Sequence, residues 1–469
     1  MPDGPLDFGR THVGALDGEP RVVHIVAIGG AAMSGIATVL VAMGHRVSGS
    51  DIRDSPRLAP LRALGVQVAV GHAATNLPSD ADLVIVSTAI GDDNPEVIAA
   101  HARNLPVMRR ADAQRAIVAT RRAVAVAGSH GKTTTTAMLT LILRDAGWDP
   151  SHLVGGDVTS LGATAAWQSG EWIVAEADES DGTFLELAPE SAIVTSIEPD
   201  HLGHYGDVSA LEEAFATFAR DVPGTNLLCV DDVVTARLAR TIPGAVTYGF
   251  ADTADYRITE YRGTRAGVTF VLERGDTVLG AIEVPVPGRH NATNAAGAAA
   301  MAVELGVPFV SVQRALAAYE GVARRFELRG ARDGVTYVDD YAHLPTEVAA
   351  MVDAAGEGGW GRVVVVFQPH RFTRTAALWR DFADAFTGAD LVVLTDVYGF
   401  DELPIAGVSG RLVLRAVLDA HPELEVVYLP TRADLVLHVP RLVRAGDLVL
   451  TLGAGDLTTV PDEWLAGAA

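Results

Sequence analysis

At 469 residues the chain is long enough for about three domains of roughly 150 residues each. Its net charge of −23 argues against nonspecific binding of nucleic acid, and its one cysteine excludes an internal disulfide framework. No apolar run is long enough to span a membrane, and residues 1–20 lack the apolar core of a secretory signal. We therefore expect a cytoplasmic protein with no membrane insertion, in which Cys229 is buried and inert.

Short apolar strands alternate with helical stretches over residues 21–118. Strands are predicted at 22–28, 46–50, 67–70 and 83–87, and helices at 33–43 and 56–64. Such an alternation predicts a parallel sheet that is covered by helices on both faces. Sheets of this kind bind ligands at the carboxyl ends of their strands, where Ser87 and Thr88 follow the fourth strand.

The turn after the first strand, residues 27–35, resembles a dinucleotide-binding fingerprint. Asp51 ends the second strand about 20 residues later, where a ribose-binding carboxylate would stand. Alanine replaces glycine at the first and third fingerprint positions, Ala27 and Ala32, which disfavours a nicotinamide dinucleotide. Two interpretations stay open: a diphosphate on the helix N-terminus, or glycines that serve only tight packing of strand and helix.

A glycine-rich turn joins a buried strand at 124–127 to a helix-forming run that Lys132 opens. Backbone N–H groups at such a turn and the helix dipole favour a phosphate, with Lys132 at the terminal phosphates and the Thr133 hydroxyl on Mg²⁺. The spacing G-x-x-G-K-T is shorter than that of the general phosphate loop, and an ordinary structural turn is the alternative. Lys132 is the one lysine of the chain, which favours nucleotide binding.

Acidic side chains follow the next two predicted strands. The first of these strands ends in four carboxylates, beginning with Glu176, and such residues suit a metal opposite the phosphate loop. For Glu179 and Asp181 we favour a solvated acidic turn instead. His201 follows a strand at 192–197 within a second acidic cluster, where a metal ligand and a structural histidine are both plausible.

Short β-rich segments alternate with turns over residues 224–286, which predicts a small antiparallel insert or a sheet edge. The motif Gly288-Arg-His-Asn-Ala-Thr-Asn294 then begins an alanine-rich helix that extends to about residue 305. Its histidine and two asparagines are either helix caps or nucleotide contacts.

The last third of the chain again alternates strands with helices, and strands are predicted at 337–339, 362–367, 390–394 and 447–452. Polar residues gather where these strands end. Arg371 and Arg374 follow one of the strands at i, i+3 spacing, which suits them to grip a carboxylate or a phosphate.

The order of these motifs resembles that of the Mur ligases over nearly the whole chain, from about residue 24 to residue 456. The motifs that carry the resemblance are Ile28-Gly-Gly-Ala-Ala-Met-Ser-Gly35, Gly128-Ser-His-Gly-Lys-Thr-Thr-Thr135, Glu176-Ala-Asp-Glu-Ser-Asp181, Gly288-Arg-His-Asn291, Arg324-Arg-Phe326, Asp340-Tyr-Ala-His343 and Phe367-Gln-Pro-His-Arg371. Gly203 and Leu344 depart from the pattern, because the family usually has an aspartate and a histidine there. Roles of those two side chains do not transfer.

The resemblance implies an α/β fold of three domains. They are a Rossmann-like UDP-sugar-binding domain at 1–120, a central P-loop ATP-binding domain with a small β insert at 121–322, and a C-terminal Rossmann-like amino-acid-binding domain at 323–469. It also implies that ATP phosphorylates the lactyl carboxylate of UDP-N-acetylmuramate, after which the amine of L-alanine attacks the acyl phosphate. The implied cofactors are ATP and Mg²⁺, and a monomer or homodimer that closes its domains on its substrates is expected.

The resemblance also assigns roles to residues at the matching motif positions. Catalysis falls to Lys132, Glu176 and His201, and metal binding to Thr133, Glu176 and His201. The implied ATP contacts are Gly128, Ser129, His130, Gly131, Lys132, Thr133, Thr134, Asn294 and Arg325. The implied UDP-sugar contacts are Gly29, Gly30, Ser34, Gly35, Asp51, Ser87 and Thr88. The implied amino-acid contacts are Tyr341, His343, Arg371 and Arg374.

Three alternatives stay open. In the first, a peptide or another amino acid such as glycine or serine takes the place of L-alanine. In the second, the chain is a nicotinamide-dependent oxidoreductase that uses the turn at 27–35, although this leaves the phosphate loop unexplained. In the third, it is a noncatalytic regulator that binds a nucleotide.

Overall fold

The computed structural model describes residues 16–156 and 158–467. Residues 1–15 of the first predicted domain, Asp157, and residues 468–469 of the third therefore lie outside the described residues. The chain forms two compact units. The first runs to Arg257 and includes Glu273–Thr277 and Ala296–Ala315, and the second comprises Ile258–Leu272, Val278–Ala295 and the chain from Leu316 onward.

A five-stranded sheet begins the first unit. Its elements are β1 (Val22–Val26), α1 (Ala31–Ala42), β2 (Arg46–Asp51), α2 (Leu58–Ala63), β3 (Gln67–Val70), a 3₁₀ turn (Ala74–Asn76), β4 (Leu83–Val86), α3 (Pro95–Ala102), β5 (Val107–Arg109) and α4 (Arg110–Val118). The strand order is β3-β2-β1-β4-β5 and each neighbouring pair is parallel, which confirms the predicted sheet. The strand order reverses between β1 and β4, and such a reversal opens a crevice at the carboxyl ends of the strands.

The central part of the first unit carries the phosphate-loop strand in the middle of its sheet. Its elements are β6 (Arg122–Ala127), α5 (Lys132–Asp145), β7 (Ser151–Leu153), a 3₁₀ turn (Thr159–Leu161), β8 (Ala165–Ala166), β9 (Trp172–Glu176), a 3₁₀ turn (Thr183–Glu186), β10 (Ser191–Val194), α6 (Leu202–Tyr205), α7 (Val208–Arg220), β11 (Asn226–Cys229), α8 (Val233–Ala239) and β12 (Val246–Gly249). The order is β12-β11-β10-β6-β9-β7-β8, in which β8 is antiparallel to β7 and the other pairs are parallel. Cys229 is buried, and burial raises the pKa of its thiol to about 12.

The predicted β-rich region contains three consecutive long strands. They and the helices after them are β13 (Tyr256–Thr264), β14 (Gly267–Arg274), β15 (Thr277–Val284), α9 (Arg289–Glu304) and α10 (Phe309–Ala317). Two-residue connections join the three strands, and connections this short link antiparallel neighbours. The alanine-rich helix is confirmed. The β-rich prediction holds for residues 256–284, which continue the edge of the central sheet because β13 pairs with β12. It is wrong for residues 224–249, which form the parallel strands β11 and β12 with α8 between them.

The C-terminal part of the second unit contains a six-stranded sheet. Its elements are β16 (Glu327–Arg332), β17 (Val335–Asp340), α11 (Pro345–Glu357), β18 (Arg362–Phe367), α12 (Phe372–Leu378), β19 (Leu391–Leu394), α13 (Gly410–Ala420), β20 (Val426–Tyr428), α14 (Arg432–Leu442), β21 (Asp447–Leu452), a 3₁₀ turn (Asp456–Thr459) and α15 (Val460–Ala466). The order is β16-β17-β21-β18-β19-β20, and β16 is antiparallel to β17 whereas the other pairs are parallel.

The central strand β18 is apolar from Val363 to Phe367 because both of its faces are covered. Along β18, Val363 and Val365 pack into one hydrophobic cluster while Val364 and Val366 pack into another on the opposite face. Side chains of a strand alternate between its two faces, so a strand with two dry faces needs an unbroken apolar run. Among the described residues, none of the helices combines the length and the hydropathy that a bilayer crossing requires.

Candidate active site

The phosphate loop follows β6 and is built on two glycines with positive φ. Gly128 has φ +134°, and a Cβ atom there would overlap the Thr195 hydroxyl oxygen. Gly131 has φ +75° and is the residue from which α5 begins. The loop is also tied to the segment after β10, since Ser129 N donates to Ser196 O at 2.9 Å and His130 N to Ser196 Oγ at 3.1 Å.

The predicted loop residues are therefore held together as one turn. The Ser129 hydroxyl accepts a hydrogen bond from Glu198 N at 2.8 Å, and His130 Nε2 lies 3.2 Å from Glu198 Oε2. Lys132, Thr133 and Thr134 form the first turn of α5, whose N–H groups have no carbonyl partner within their own helix. Together with the helix dipole, these groups make the turn suited to an anion.

Lys132 is held by a carboxylate that we predicted to be solvated. Its Nζ donates to Glu179 Oε2 at 2.8 Å and Oε1 at 3.0 Å, and also to the carbonyl oxygen of Gly128. The prediction of a solvated turn is wrong for Glu179, which is only 2% exposed. For Asp181 it holds in part, because the side chain is 28% exposed but its Oδ2 lies 2.9 Å from Arg110 Nη2 of α4. A local reading of an acidic run cannot reveal a cation that lies 47 residues away in sequence.

The carboxylates around Lys132 keep its ammonium protonated. Burial lowers the pKa of the ammonium, but the carboxylates of Glu179, Glu176 and Asp178 more than offset this, so the net shift is upward. Burial also raises the pKa of Glu176, while Lys132 acts in the opposite direction. The site therefore keeps a fixed positive charge next to a buried carboxyl group, an arrangement suited to a bound anion and a bound cation together.

Thr133 and Glu176 are arranged as a pair of oxygen ligands. The Thr133 hydroxyl donates to Glu176 Oε2 at 2.9 Å, and Gly155 N donates to the same oxygen at 2.8 Å. Mg²⁺ takes hard oxygen ligands in an octahedron at about 2.0–2.1 Å, in which adjacent ligands lie about 2.9 Å apart. The donor chemistry and the spacing of these two side chains therefore fit Mg²⁺.

His201, the third predicted metal ligand, lies after β10 with φ +54°. Its Nε2 is 3.3 Å from Asp200 Oδ2, and its backbone N donates to Asp200 Oδ1 at 2.8 Å. In the part of the chain that the structure describes, there is no group of three or more His, Cys, Asp and Glu residues that could hold a metal ion. The metal role of His201 stays a prediction.

The predicted UDP-sugar residues lie at the carboxyl ends of β1, β2 and β4. Gly29 N donates to Asp51 Oδ2 at 2.9 Å, and a Cβ on Gly29 would come within 2.8 Å of that oxygen. Gly30 is the residue before α1, and Ser34 Oγ donates to Ala31 O at 2.9 Å. The turn begins at Ala27, whose φ of +62° ends β1 two residues earlier than predicted.

Three further predicted UDP-sugar residues have distinct surroundings. Gly35, on α1, lets the helix approach β8, because a Cβ there would lie 3.2 Å from Ala165 Cβ. Ser87 and Thr88 follow β4, and the Ser87 hydroxyl accepts a long bond of 3.4 Å from Ala89 N. Gly35 therefore has a packing role, its contact with a UDP-sugar stays a prediction, and Ser87 and Thr88 are at least partly accessible at the crevice.

Three of the four predicted amino-acid residues, His343, Arg371 and Arg374, are neighbours of His370, a histidine to which the sequence assigned no role. The His343 ring lies 5.7 Å from the His370 ring and 5.3 Å from the Tyr341 ring. Arg374 Nη1 lies 3.1 Å from His370 Nδ1. Tyr398, also missed, stacks on His370 at 5.8 Å. The signal that could have identified His370 is its place three residues after the apolar run Val363–Phe367 of β18.

His370 is a neutral histidine beside cationic groups. Burial, followed by the neighbouring His343, Arg374 and Arg371, lowers its pKa to about 4. Nδ1 of the neutral ring can therefore accept a hydrogen bond from Arg374, whereas an imidazolium could not. Arg371 has φ +66°, and its Nε is buried without a hydrogen-bond partner among the described residues. A ligand carboxylate would satisfy that group.

The two remaining predicted ATP residues are in the second unit. Asn294 is buried on α9. Arg325 lies over the Tyr341 ring at 5.4 Å, with its Nη1 3.9 Å from Glu347 Oε1. Near it, Asp340 accepts hydrogen bonds from Phe326 N at 2.6 Å and Ala342 N at 2.7 Å, and burial raises its pKa to about 6.

Three family models match the chain in succession. Residues 22–122 match the Mur ligase family catalytic domain, residues 126–302 the Mur ligase middle domain, and residues 324–455 the Mur ligase glutamate ligase domain. Two curated relatives are each called UDP-N-acetylmuramate–L-alanine ligase. The protein from Geobacter sp. (strain M21) is 42% identical over 96% of this chain and 98% of its own length. That from Myxococcus xanthus is 46% identical over 94% of each chain.

A solved structure agrees with these matches. The crystal structure of UDP-N-acetylmuramate-alanine ligase from Thermotoga maritima superimposes with a TM-score of 0.80 at 30% identity, covering 96% of this chain and 99% of that one. The motifs, the family models and the fold agree over nearly the whole length, and the chain belongs to the Mur ligase family.

Proposed function

We propose that the chain joins L-alanine to the lactyl carboxylate of UDP-N-acetylmuramate at the expense of ATP, in the synthesis of peptidoglycan precursors. The relatives named for this reaction support the proposal, since they match the chain over nearly its full length. The single observation that carries the chemistry is the group of Lys132, Thr133 and Glu176 at the carboxyl ends of β6 and β9.

The reaction has two steps. A carboxylate oxygen of the lactyl group attacks the γ-phosphorus of ATP, the bond to the β–γ bridging oxygen breaks, and ADP leaves. The amine of L-alanine then attacks the carbonyl carbon of the acyl phosphate, loses a proton, and expels inorganic phosphate as the amide bond forms. The first step brings two anions together, so we assign to Lys132 the neutralisation of charge that develops on the phosphates.

Thr133 and Glu176 would hold Mg²⁺, with His201 as the third proposed ligand. When bound, the ion would supply positive charge against the phosphate oxygens and orient them for in-line transfer. Neighbouring groups of the chain orient the two side chains that would bind the ion. Gly155 N fixes the Glu176 carboxylate, and the start of α5 fixes the Thr133 hydroxyl.

We assign the amino acid to the cluster around His370. Arg371 and Arg374 would bind the carboxylate of L-alanine, since guanidinium groups match carboxylates in geometry and charge. Tyr341 and His343 would form the walls of the pocket beside it. The rings of His343 and Tyr398 lie 5.7 and 5.8 Å from the His370 ring, and Tyr341 lies 5.3 Å from His343.

The other assignments follow the family's division of labour. Gly29, Gly30, Ser34, Gly35, Asp51, Ser87 and Thr88 would contact the UDP-sugar. Gly128, Ser129, His130, Gly131 and Thr134 would contact ATP with Lys132 and Thr133, as would Asn294 and Arg325. We propose domains at 1–120, 121–322 and 323–469, action in the cytoplasm, and a monomer or homodimer.

Phosphate release in the presence of ATP, Mg²⁺ and UDP-N-acetylmuramate tests this proposal when L-alanine is compared with glycine, L-serine and a tripeptide. We expect the highest kcat/KM with L-alanine, and no release when either the sugar nucleotide or the amine is omitted. A tripeptide that outperforms L-alanine would identify a peptide ligase instead. Tight NADH binding without ATP turnover would favour an oxidoreductase.

A further inference from the structure

The ammonium of Lys132 has no donor left for a phosphate. A lysine side chain carries three N–H donors. In the structure these meet three acceptors, namely the Gly128 carbonyl oxygen and the two carboxylate oxygens of Glu179. The pair is also enclosed, since the side chains of Lys132 and Glu179 are 13% and 3% exposed.

This arrangement conflicts with the role proposed for Lys132 in nucleotide binding, on which the inference rests. A terminal phosphate can bind the ammonium only if at least one of the three existing hydrogen bonds breaks. The hydrogen bonds to Glu179 are the ones that a phosphate must replace, because carboxylate and phosphate are both anions and compete for the same ammonium. Glu176 and Asp178 add further negative charge close by.

We propose that Glu179 is an internal competitor of the nucleotide: it occupies Lys132 in the free chain, must release it when phosphates bind, and thereby limits nucleotide affinity. Tyr205 supports the arrangement, because its hydroxyl donates to the carbonyl oxygen of Glu179 and so fixes the segment that carries the carboxylate. Release leaves a carboxylate in a place that is 2% exposed. The free energy of leaving it without its partner reduces the net affinity for nucleotide.

The variant Glu179→Gln removes the charge and keeps the shape of the side chain. A competitor role predicts that ADP, with Mg²⁺ present, binds about tenfold more tightly to this variant than to the unmodified chain, as measured by calorimetry. Tighter binding is a result that mere structural damage would not produce. Unchanged or weaker binding of ADP to the folded variant would overturn the proposal.

A control separates the specific contact from the general loss of negative charge. Asp181→Asn removes one carboxylate from the same segment, but Asp181 pairs with Arg110 and not with Lys132. We expect its ADP affinity to stay within about twofold of the unmodified chain, which is a small free-energy change. An equal gain in both variants would overturn the proposal, because the effect would then be one of net charge.

A second variant covers the case in which Glu179→Gln does not fold. Glu179→Asp keeps the charge but shortens the side chain by one methylene, so the two-point contact with Nζ is weakened. We expect a smaller gain in ADP affinity of about two- to fivefold. No gain in Glu179→Asp would count against the competitor role.

The chain offers a direct probe of the exchange, because Lys132 is its only lysine. Lysine labelled with ¹³C at the ε carbon therefore gives one side-chain NMR signal. We expect this signal to differ between the free unmodified chain and free Glu179→Gln, and to converge when both are saturated with ADP. A signal in the unmodified chain that ADP does not move would overturn the proposal. A different result would refute the proposed ligation itself, namely the absence of phosphate release by the unmodified chain.

Discussion

The hydroxyl of Thr133 donates a hydrogen bond to the Glu176 carboxylate across 2.9 Å. This contact joins the first turn of α5 to the end of β9, which is the strand beside β6 in the sheet. Parallel strands present their carboxyl ends at one edge, so two side chains 43 residues apart in sequence meet there. The same two oxygens are the ones that we assign to Mg²⁺.

Thr133→Val tests this assignment, because valine keeps the shape of threonine and removes only its hydroxyl. We expect the Mg²⁺ concentration that half-saturates ligation to rise about tenfold or more, since an oxygen ligand is lost. The measurement is a Mg²⁺ titration of phosphate release at saturating ATP.

Thr136→Val on the same helix is the matched control. The Thr136 hydroxyl is buried and has no hydrogen-bond partner among the described residues. Its loss should leave the Mg²⁺ dependence unchanged and the free energy of unfolding equal or higher, because an unsatisfied polar group is removed. An equal rise in the Mg²⁺ requirement of both variants would contradict the role of Thr133.

Lys132→Arg should lower kcat for ligation by about a thousandfold, because a planar guanidinium cannot take the place of a compact ammonium over the phosphates. The charge next to Glu179 is retained, so thermal stability should change little.

Lys132→Met should also be inactive, but it should lose about 3–5 kcal/mol of stability because Glu179 is left buried and unpaired. Steady-state kinetics and chemical denaturation measure the two effects. Ligation by Lys132→Arg at the normal rate would refute the catalytic role.

Much of the fold follows from local sequence signals. β3, β18 and β21 begin and end at the predicted residues, because a glycine or a proline lies within two residues of each end and marks a turn. The sequence analysis did not predict the helices α3 and α7, whose first residues are fixed by N-cap side chains. Asn94 accepts from Glu96 N at 2.9 Å, and Asp207 accepts from Ala210 N at 2.8 Å. Such contacts involve single residues and carry little periodic signal.

The site was predicted less completely than the fold, because the side chains that contact each other there are far apart in the sequence. Lys132 and Glu176 follow strands, and strand ends are visible in a sequence. Whether Glu179 faces water or Lys132 depends on the path of the chain after β9, which periodicity does not encode. His370 is similar, because its neighbours His343 and Tyr398 come from the ends of other strands.

Gly128→Ala should disable the phosphate loop. The added methyl group would meet the Thr195 hydroxyl at a backbone φ of +134°, which costs about 2–5 kcal/mol in strain and overlap. We expect a lower midpoint in thermal unfolding and no measurable ADP binding by calorimetry.

Gly203→Ala is the comparison for Gly128→Ala. Gly203 lies in α6, and a Cβ there would have no heavy atom within 4 Å. Alanine in place of a helical glycine should stabilise the chain by about 0.5–1 kcal/mol. A loss of stability in Gly203→Ala as large as in Gly128→Ala would show that close approach at the loop is not the cause.

Arg371→Met should raise the KM for L-alanine by about 10- to 100-fold, because a charged hydrogen bond to a carboxylate contributes about 1.5–3 kcal/mol. The affinity for ADP should not change, since the residue belongs to the amino-acid cluster. Arg380→Met is the control, because Arg380 is exposed and stacks on Trp379 at 4.2 Å. An unchanged KM in Arg371→Met, or an equal rise in both variants, would exclude Arg371 from the amino-acid site.

The buried side chain of His152 should make the stability of the chain depend on pH. Its Nε2 lies 3.0 Å from Ala163 O and its Nδ1 lies 3.3 Å from Arg144 Nη2, so the buried ring is neutral with its proton on Nε2. Burial, with a smaller effect of Arg144, lowers its pKa from 6.5 to about 4, although the bond to Ala163 opposes the shift. The unfolded chain therefore binds more protons than the folded chain between these two values.

The sign follows from that difference in bound protons. The stability due to a neutral His152 is complete above pH 6.5 and is lost as the pH falls toward 4, by up to about 1.4 kcal/mol per pH unit. Denaturation at several pH values should give a shallower dependence in this range for His152→Asn than for the unmodified chain. His421→Asn is the control, because Asp384 raises the pKa of this partly exposed histidine and its effect has the opposite sign. An unaltered slope in His152→Asn would mean that the ring is not held neutral in the folded chain.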